Sequence, residues 1–145
     1  LAQDVFHKYQ ILAKEKEIEL KLNMPKDLPM VFADLGLVER VIQNLMDNAL
    51  KFTPNGGKIQ LDLRPLNDSV EIKIVDNGPG ISEEQQAYIF ERYNKANRKG
   101  EQTGGAGLGL AIVKKILELH DATIRVQSQL NQGTAFMFQL PAYAG

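Results

Sequence analysis

Val70-Glu71-Ile72-Lys73-Ile74-Val75-Asp76-Asn77-Gly78-Pro79-Gly80-Ile81 is the stretch from which the fold can be read. Apolar Val70, Ile72 and Ile74 alternate with Glu71 and Lys73, the period of a strand with one packed and one wet face. The strand stops in a carboxylate and a Gly-Pro-Gly turn. Glycine permits positive φ or close backbone approach, and Pro79 fixes one φ near about −65°, so the turn is stiff as well as tight. Such a turn holds Asp76 at a fixed angle. Two readings of that carboxylate are open: it bonds its own backbone, as turn residues do, or it reads a ligand.

On either side of this stretch the same patterns recur. Residues near Gln3 to Lys16 place Val5, Phe6, Tyr9, Leu12 and Ala13 at helical spacing. Ile18, Leu20 and Leu22 alternate with charged residues in a strand that ends at Pro25. A short strand is predicted over Met30 to Ala33, then Asp34 as the N-cap of a long helix reaching Phe52. Thr53-Pro54-Asn55-Gly56-Gly57 breaks that helix. Strands follow near Lys58 to Arg64 and Val70 to Val75, joined by a turn at Asn67-Asp68. Ser82 caps a short helix. Residues 94 to 107 are polar, glycine-rich and aperiodic, and read as a mobile loop. Leu108 to His120 is a further amphipathic helix. A hairpin, Thr123 to Ser128 and Ala135 to Leu140, turns at Asn131-Gln132-Gly133. The expected architecture is a single α/β domain over residues 1–145, a two-layer sandwich with strands in adjacent antiparallel pairs and no βαβ series.

Composition narrows the function classes. The 145 residues are 43% apolar and 24% charged, and 17 basic against 18 acidic residues leave a net charge of −1. This balance gives no case for bulk attraction to nucleic acid or to a membrane surface. With no cysteine, disulfides and thiolate metal sites are excluded, and two histidines are too few for a histidine-rich metal site. No apolar run approaches the roughly 20 residues that span a bilayer. The chain opens without Met inside a helical pattern and reads as part of a longer protein.

Chemistry gathers in two further places. On a wheel of about 100° per residue, Leu37, Val38, Val41, Ile42, Leu45, Met46, Ala49 and Phe52 fill one arc of the long helix. Asn44, Asn48 and Lys51 form a stripe along its border. Amide oxygens and an ammonium in a line suit a Mg²⁺-bound polyphosphate. They equally suit carboxamides bonded to loop backbone beside a snorkelling lysine. The second place is Thr103-Gly104-Gly105-Ala106-Gly107-Leu108-Gly109-Leu110, where glycines precede and open a helix. Unpaired N–H groups there favour anions. The spacing is neither a Rossmann fingerprint nor a P-loop. Arg92, Lys95, Arg98 and Lys99 precede it, as in a lid over phosphates.

Together these motifs resemble the ATP-binding catalytic domain of sensor histidine kinases, in the superfamily shared with DNA gyrase, a heat-shock chaperone class and MutL-type repair proteins. Gln43 to Thr53 is similar to the N box, Asp76 to Ile81 to the first glycine box, Ile89-Phe90-Glu91-Arg92-Tyr93 to the F box, and Gly105 to Val113 to the second glycine box. Gly133-Thr134 falls where the family has a last small motif. The resemblance implies a Bergerat-type mixed sheet of about five to six strands covered on one face by three helices, with a lid near residues 92–107. It implies ATP and Mg²⁺ as ligands: Asp76 on the adenine amino group, Gly78, Gly80 and Ile81 shaping the turn so that the base lies close, Asn48 on the metal with Asn44 beside it. Lys51 and the amides at Gly105, Gly107, Leu108 and Gly109 would hold phosphates, with Tyr93 and Thr134 as further contacts and Phe90 packed under the lid.

Ala106 stands where many relatives have Thr or Ser, and Asp121-Ala122 where Gly-Gly is common. His7 lacks the His-Glu/Asp acceptor pattern, and His120 reads as a helix C-terminal residue favoured by the dipole. Asn44 replaces the Glu that hydrolytic relatives carry and cannot act as a general base. The implied function is transfer of the γ-phosphoryl group to a histidine on a separate dimerisation helix, with a response regulator downstream. The implied parent is a homodimer with this domain monomeric and cytoplasmic, whether or not the parent is membrane-anchored. A hydrolytic ATPase and a non-catalytic nucleotide-binding module are the alternatives.

Overall fold

The computed structural model describes residues 2–29, 31, 33–90 and 104–142. Its elements in chain order are α1 (Ala2–Glu15), β1 (Glu19–Asn23), α2 (Leu35–Phe52), β2 (Lys58–Leu66), β3 (Ser69–Asp76), the single turn α3 (Glu83–Gln86), α4 (Gly104–Leu119), β4 (Arg125–Gln129) and β5 (Gly133–Pro141). One five-stranded sheet runs β1-β2-β3-β5-β4. Helices α1, α2 and α4 cover one of its faces, giving the two-layer α/β sandwich.

The core is the meeting of the two periodicities. Val38, Val41, Ile42, Leu45, Met46 and Ala49 of α2 and Leu110, Val113, Ile116 and Leu117 of α4 are buried with Leu61, Ile72, Ile74, Phe136, Phe138 and Leu140 of the sheet. Each such aliphatic side chain, fully buried, contributes about 1.5–3 kcal/mol. Val5, Tyr9 and Ala13 complete the layer from α1. Asp34 caps α2 as expected, its Oδ1 accepting from the Leu37 amide at 3.1 Å. Ser82 caps α3 in the same way through the Gln85 amide at 3.2 Å.

Three expectations are corrected. The strands are not all in antiparallel pairs: β1 and β2 are parallel, from Glu19↔Lys58 to Asn23↔Asp62. A short turn reverses a chain, whereas α2, about 27 Å long at 1.5 Å per residue, carries it back along the layer to re-enter the sheet in the same direction. The strand over Met30 to Ala33 reduces to an isolated bridge, Val31 with Ala142; Met30 and Phe32 lie outside the described residues. Finally, α4 starts at Gly104, so 104–107 belong to its first turn rather than to the loop. Glycine's poor helix propensity matters least in a first turn, where amides have no intrahelical partner.

Candidate functional site

Asp76 ends β3 on the helix-facing side of the sheet and is only 7% exposed. Its Oδ1 accepts from the Gly78 amide at 2.9 Å, and the Thr134 amide donates to the same carboxylate. Burial raises its pKa above the ordinary carboxylate value, and the two amide bonds oppose that rise without cancelling it. The carboxylate bonds its own backbone, as turn residues do, and keeps further acceptor capacity.

The turn is held from outside as well as from within. Asn77 extends the ladder beyond Asp76, its Oδ1 accepting from the Lys58 amide at 2.7 Å. The Pro79 carbonyl accepts from the Asn131 amide at 2.6 Å, and the Ile81 amide donates to Ser128 Oγ at 2.7 Å. Gly80 has φ +78°, and a Cβ there would stand 2.1 Å from the Gln129 carbonyl oxygen. The space that this glycine leaves is filled by the last hairpin. Room for a base is thus not what its missing side chain provides. Gly78 packs on the end of α2, where a Cβ would lie 3.0 Å from the Phe52 carbonyl oxygen.

On α2, each of the two carboxamides keeps one polar atom without a partner among the described residues. Asn48 is 8% exposed, and its Oδ1 has no hydrogen-bond partner; the buried Nδ2 of Asn44 has none either. Leaving such groups unpaired costs about 1–3 kcal/mol each. An orphaned amide oxygen at this border fits the donor set of a hard divalent cation. Lys51 is exposed, with its ammonium 5.6 Å from the centre of the Phe52 ring. Gly109 of α4 faces Asn44, since a Cβ on it would come within 3.9 Å of the carboxamide carbon. Helices α2 and α4 therefore present the asparagines and the glycine-rich first turns to one corner. Gly105, Gly107 and Leu108 lie in those first turns. Tyr93 and the lid residues 92–103 lie outside the described residues.

The remaining site residues come from the final hairpin. Register pairs Asp76 with Thr134 and Thr134 with Ser128, so the three form one polar row across β3, β5 and β4. The next row inward is Ile74, Phe136 and Val126, which is apolar throughout. Sequence motifs point to Thr134 but not to Ser128 or Gln86. The Gln86 amide nitrogen donates to the carbonyls of Ile81 at 2.8 Å and Ser128 at 3.2 Å, tying α3 to the turn and the hairpin. Only the strand register, carried one strand further, points to Ser128 in the sequence. Phe90 stacks edge-on against Phe136, with ring centres 6.1 Å apart.

His120 follows directly on the last residue of α4. Its Nε2 accepts from the Asp34 amide at 3.1 Å and its Nδ1 lies 2.8 Å from the Ile116 carbonyl oxygen. These two contacts pin the C-terminal end of α4 to the start of α2.

With this geometry in hand, the profile of the family described as histidine kinase-, DNA gyrase B- and HSP90-like ATPase matches residues 33–144. The chain belongs to that family. It is 44% identical to the adaptive-response sensory kinase SasA of Synechocystis sp. over 144 residues, 99% of this chain and 37% of that protein. It is 37% identical to drug sensory protein A of the same organism, covering 99% of this chain and 23% of the relative. The chain thus spans between 23% and 37% of the length of these curated relatives. Among solved structures, the catalytic domain of histidine kinase ThkA superposes with a TM-score of 0.82 at 26% identity, over 97% of this chain and 88% of the other. Full-length ShkA in complex with AMPPNP gives 0.84 at 32% identity, over 99% of this chain and 30% of that one. Family membership carries the fold of a protein-histidine kinase catalytic domain and its nucleotide use.

Proposed function

We propose that this domain binds Mg-ATP and donates the γ-phosphoryl group to a histidine on a separate phosphoacceptor helix of the parent protein or its dimer partner. The observation that carries the reading is the buried, unpartnered Asn48 carboxamide oxygen beside a second carboxamide at Asn44. Buried polar atoms without a protein partner favour a ligand that pairs them. Mg²⁺ held there by Asn48, with Asn44 on the metal or its waters, would neutralise charge on the phosphate oxygens. Asp76 accepts from the 6-amino group of the base. Lys51 and the first-turn amides of α4 bind phosphate oxygens.

Asn44 separates transfer from hydrolysis. Activating water needs a base, and a carboxamide is not one. A histidine acceptor brings its own lone pair: its ring nitrogen bonds to the γ-phosphorus as the bridging P–O bond breaks, ADP leaves, and the ring gives up its N–H proton. The histidine, a response regulator that takes the phosphoryl group onward, and a homodimeric parent belong to this reading, as does a monomeric domain acting on the cytoplasmic side. Among the described residues no helix is long and apolar enough to cross a membrane.

The test mixes this chain with the phosphoacceptor helix region of its parent and γ-labelled ATP. Acid-labile, base-stable label on the helix region is expected, with slow phosphate release by the domain alone. Rapid release without the helix would favour the hydrolytic reading. Tight binding with neither transfer nor release would favour a regulatory module.

A further inference from the structure

Ser128 is hydrogen-bonded to its full capacity. A hydroxyl has one proton and two lone pairs. The proton goes to the Gly133 carbonyl oxygen at 2.8 Å, and one lone pair accepts the Ile81 amide at 2.7 Å. Thr134 Oγ1 lies 2.9 Å from Ser128 Oγ. Because the serine proton is already committed to Gly133, the proton on this last contact must come from Thr134. Thr134 therefore spends its only donor on Ser128 and is left with lone pairs alone. Its neighbour in the row, Asp76, is a carboxylate that already accepts from two amides and has no proton to offer when ionised. Asp76, Ser128 and Thr134 line the same open groove.

We propose that Ser128 is a specificity-determining positioning residue: by holding the Thr134 proton, it makes the Asp76–Thr134 edge acceptor-only, so that the site takes a 6-aminopurine nucleotide and rejects its 6-oxo counterpart. This inference rests on the nucleotide reading of the site. An amino group meets two acceptors with two N–H donors. A 6-oxo group brings a third acceptor, which no hydroxyl is free to satisfy. Without Ser128, the Thr134 hydroxyl turns and donates to a 6-oxo group, and the Ile81 amide at the end of the Gly-Pro-Gly turn loses its acceptor.

The experiment measures, by calorimetry on the chain, the dissociation constants of ATP and of inosine triphosphate, which has a 6-oxo group in place of the 6-amino group and a proton on N1. The unsubstituted chain is expected to prefer ATP, and Ser128→Ala to narrow that preference by about 10-fold, equivalent to about 1.4 kcal/mol. Ser128→Thr, which keeps the oxygen, is expected to retain the preference within about 2-fold. If Ser128→Ala weakens both nucleotides in parallel, or leaves their ratio unchanged, the serine is only structural and the inference is overturned. Should Ser128→Ala fail to fold, Thr134→Val decides. It keeps the amide bond to Asp76 and removes the second acceptor, so an unchanged ratio in that variant overturns the inference as well. An unsubstituted chain that binds neither triphosphate overturns the nucleotide reading itself.

Discussion

Asp76 shows a buried charge opposing the fold that holds it. Its pKa is raised by burial, so protonation is easier in the folded state than in the unfolded one. The sign follows from linkage: the stability it contributes is fully present below the unfolded pKa and is lost as pH rises through the folded pKa. At neutral pH the buried charge thus works against folding. Asp76→Asn is expected to lower ATP affinity by about 5- to 150-fold, the loss of a charged hydrogen bond worth about 1–3 kcal/mol. The same substitution should raise the thermal midpoint of the nucleotide-free domain at pH 7, with the gain shrinking as the medium is made acidic. Calorimetry and melting curves on the two proteins check both. ATP affinity should also fall on acidification at a pH above that of an ordinary aspartate, a step that the Asn variant lacks. Asn48 makes the complementary case. Asn48→Ala removes an acceptor that has no partner, so it should leave the melting temperature nearly unchanged. It should weaken ATP about 10-fold or more in Mg²⁺ but not in its absence, which titration with and without EDTA would reveal.

At the scale of elements, the turn and the hairpin act as one unit. Gly80 has both a positive φ and a backbone carbonyl in the way of any side chain, whereas Gly56, at φ +85°, has nothing within 4 Å of the place a Cβ would occupy. Comparing the two substitutions separates torsional strain from docking. Gly56→Ala should lose only the torsional preference, about 1–2 kcal/mol. Gly80→Ala should lose more, and should also weaken ATP because the turn can no longer seat on Gln129. Urea denaturation with nucleotide titration distinguishes the two outcomes. The elements themselves were legible because helix and strand periods are local: α2 with its Asp34 cap, the asparagine stripe, and β3 running into its turn all follow from residues within a few positions of one another. The parallel pairing of β1 with β2 was not legible, since it depends on where α2 delivers the chain. The true neighbour of Gly80 was hidden for the same reason, because Gln129 lies in a different hairpin. Ser128 sits in an ordinary Gln-Ser-Gln run. Its meaning appears only when β3, β5 and β4 are laid side by side in register.

For the whole molecule, ligand and fold share one free energy. Anything that binds only the folded state stabilises it by mass action, about 2.7 kcal/mol at 100 times Kd. Mg-ATP should therefore raise the melting temperature of this domain in a concentration-dependent way, and the rise should be smaller in Asp76→Asn at the same ligand concentration. Differential scanning fluorimetry over a nucleotide series reads this directly. The row of Asp76, Thr134 and Ser128 carries a consequence for the order of assembly. Its members stand far apart in the chain, and strand β5, which holds Thr134, inserts between β3 and β4. A growing polypeptide that has emerged only through the Gly-Pro-Gly turn owns the carboxylate but not the amide and hydroxyls that orient it. The corner proposed to read the base is thus completed only when β5 is added, and a half-made domain that stops at the turn holds its carboxylate without the groups that orient it.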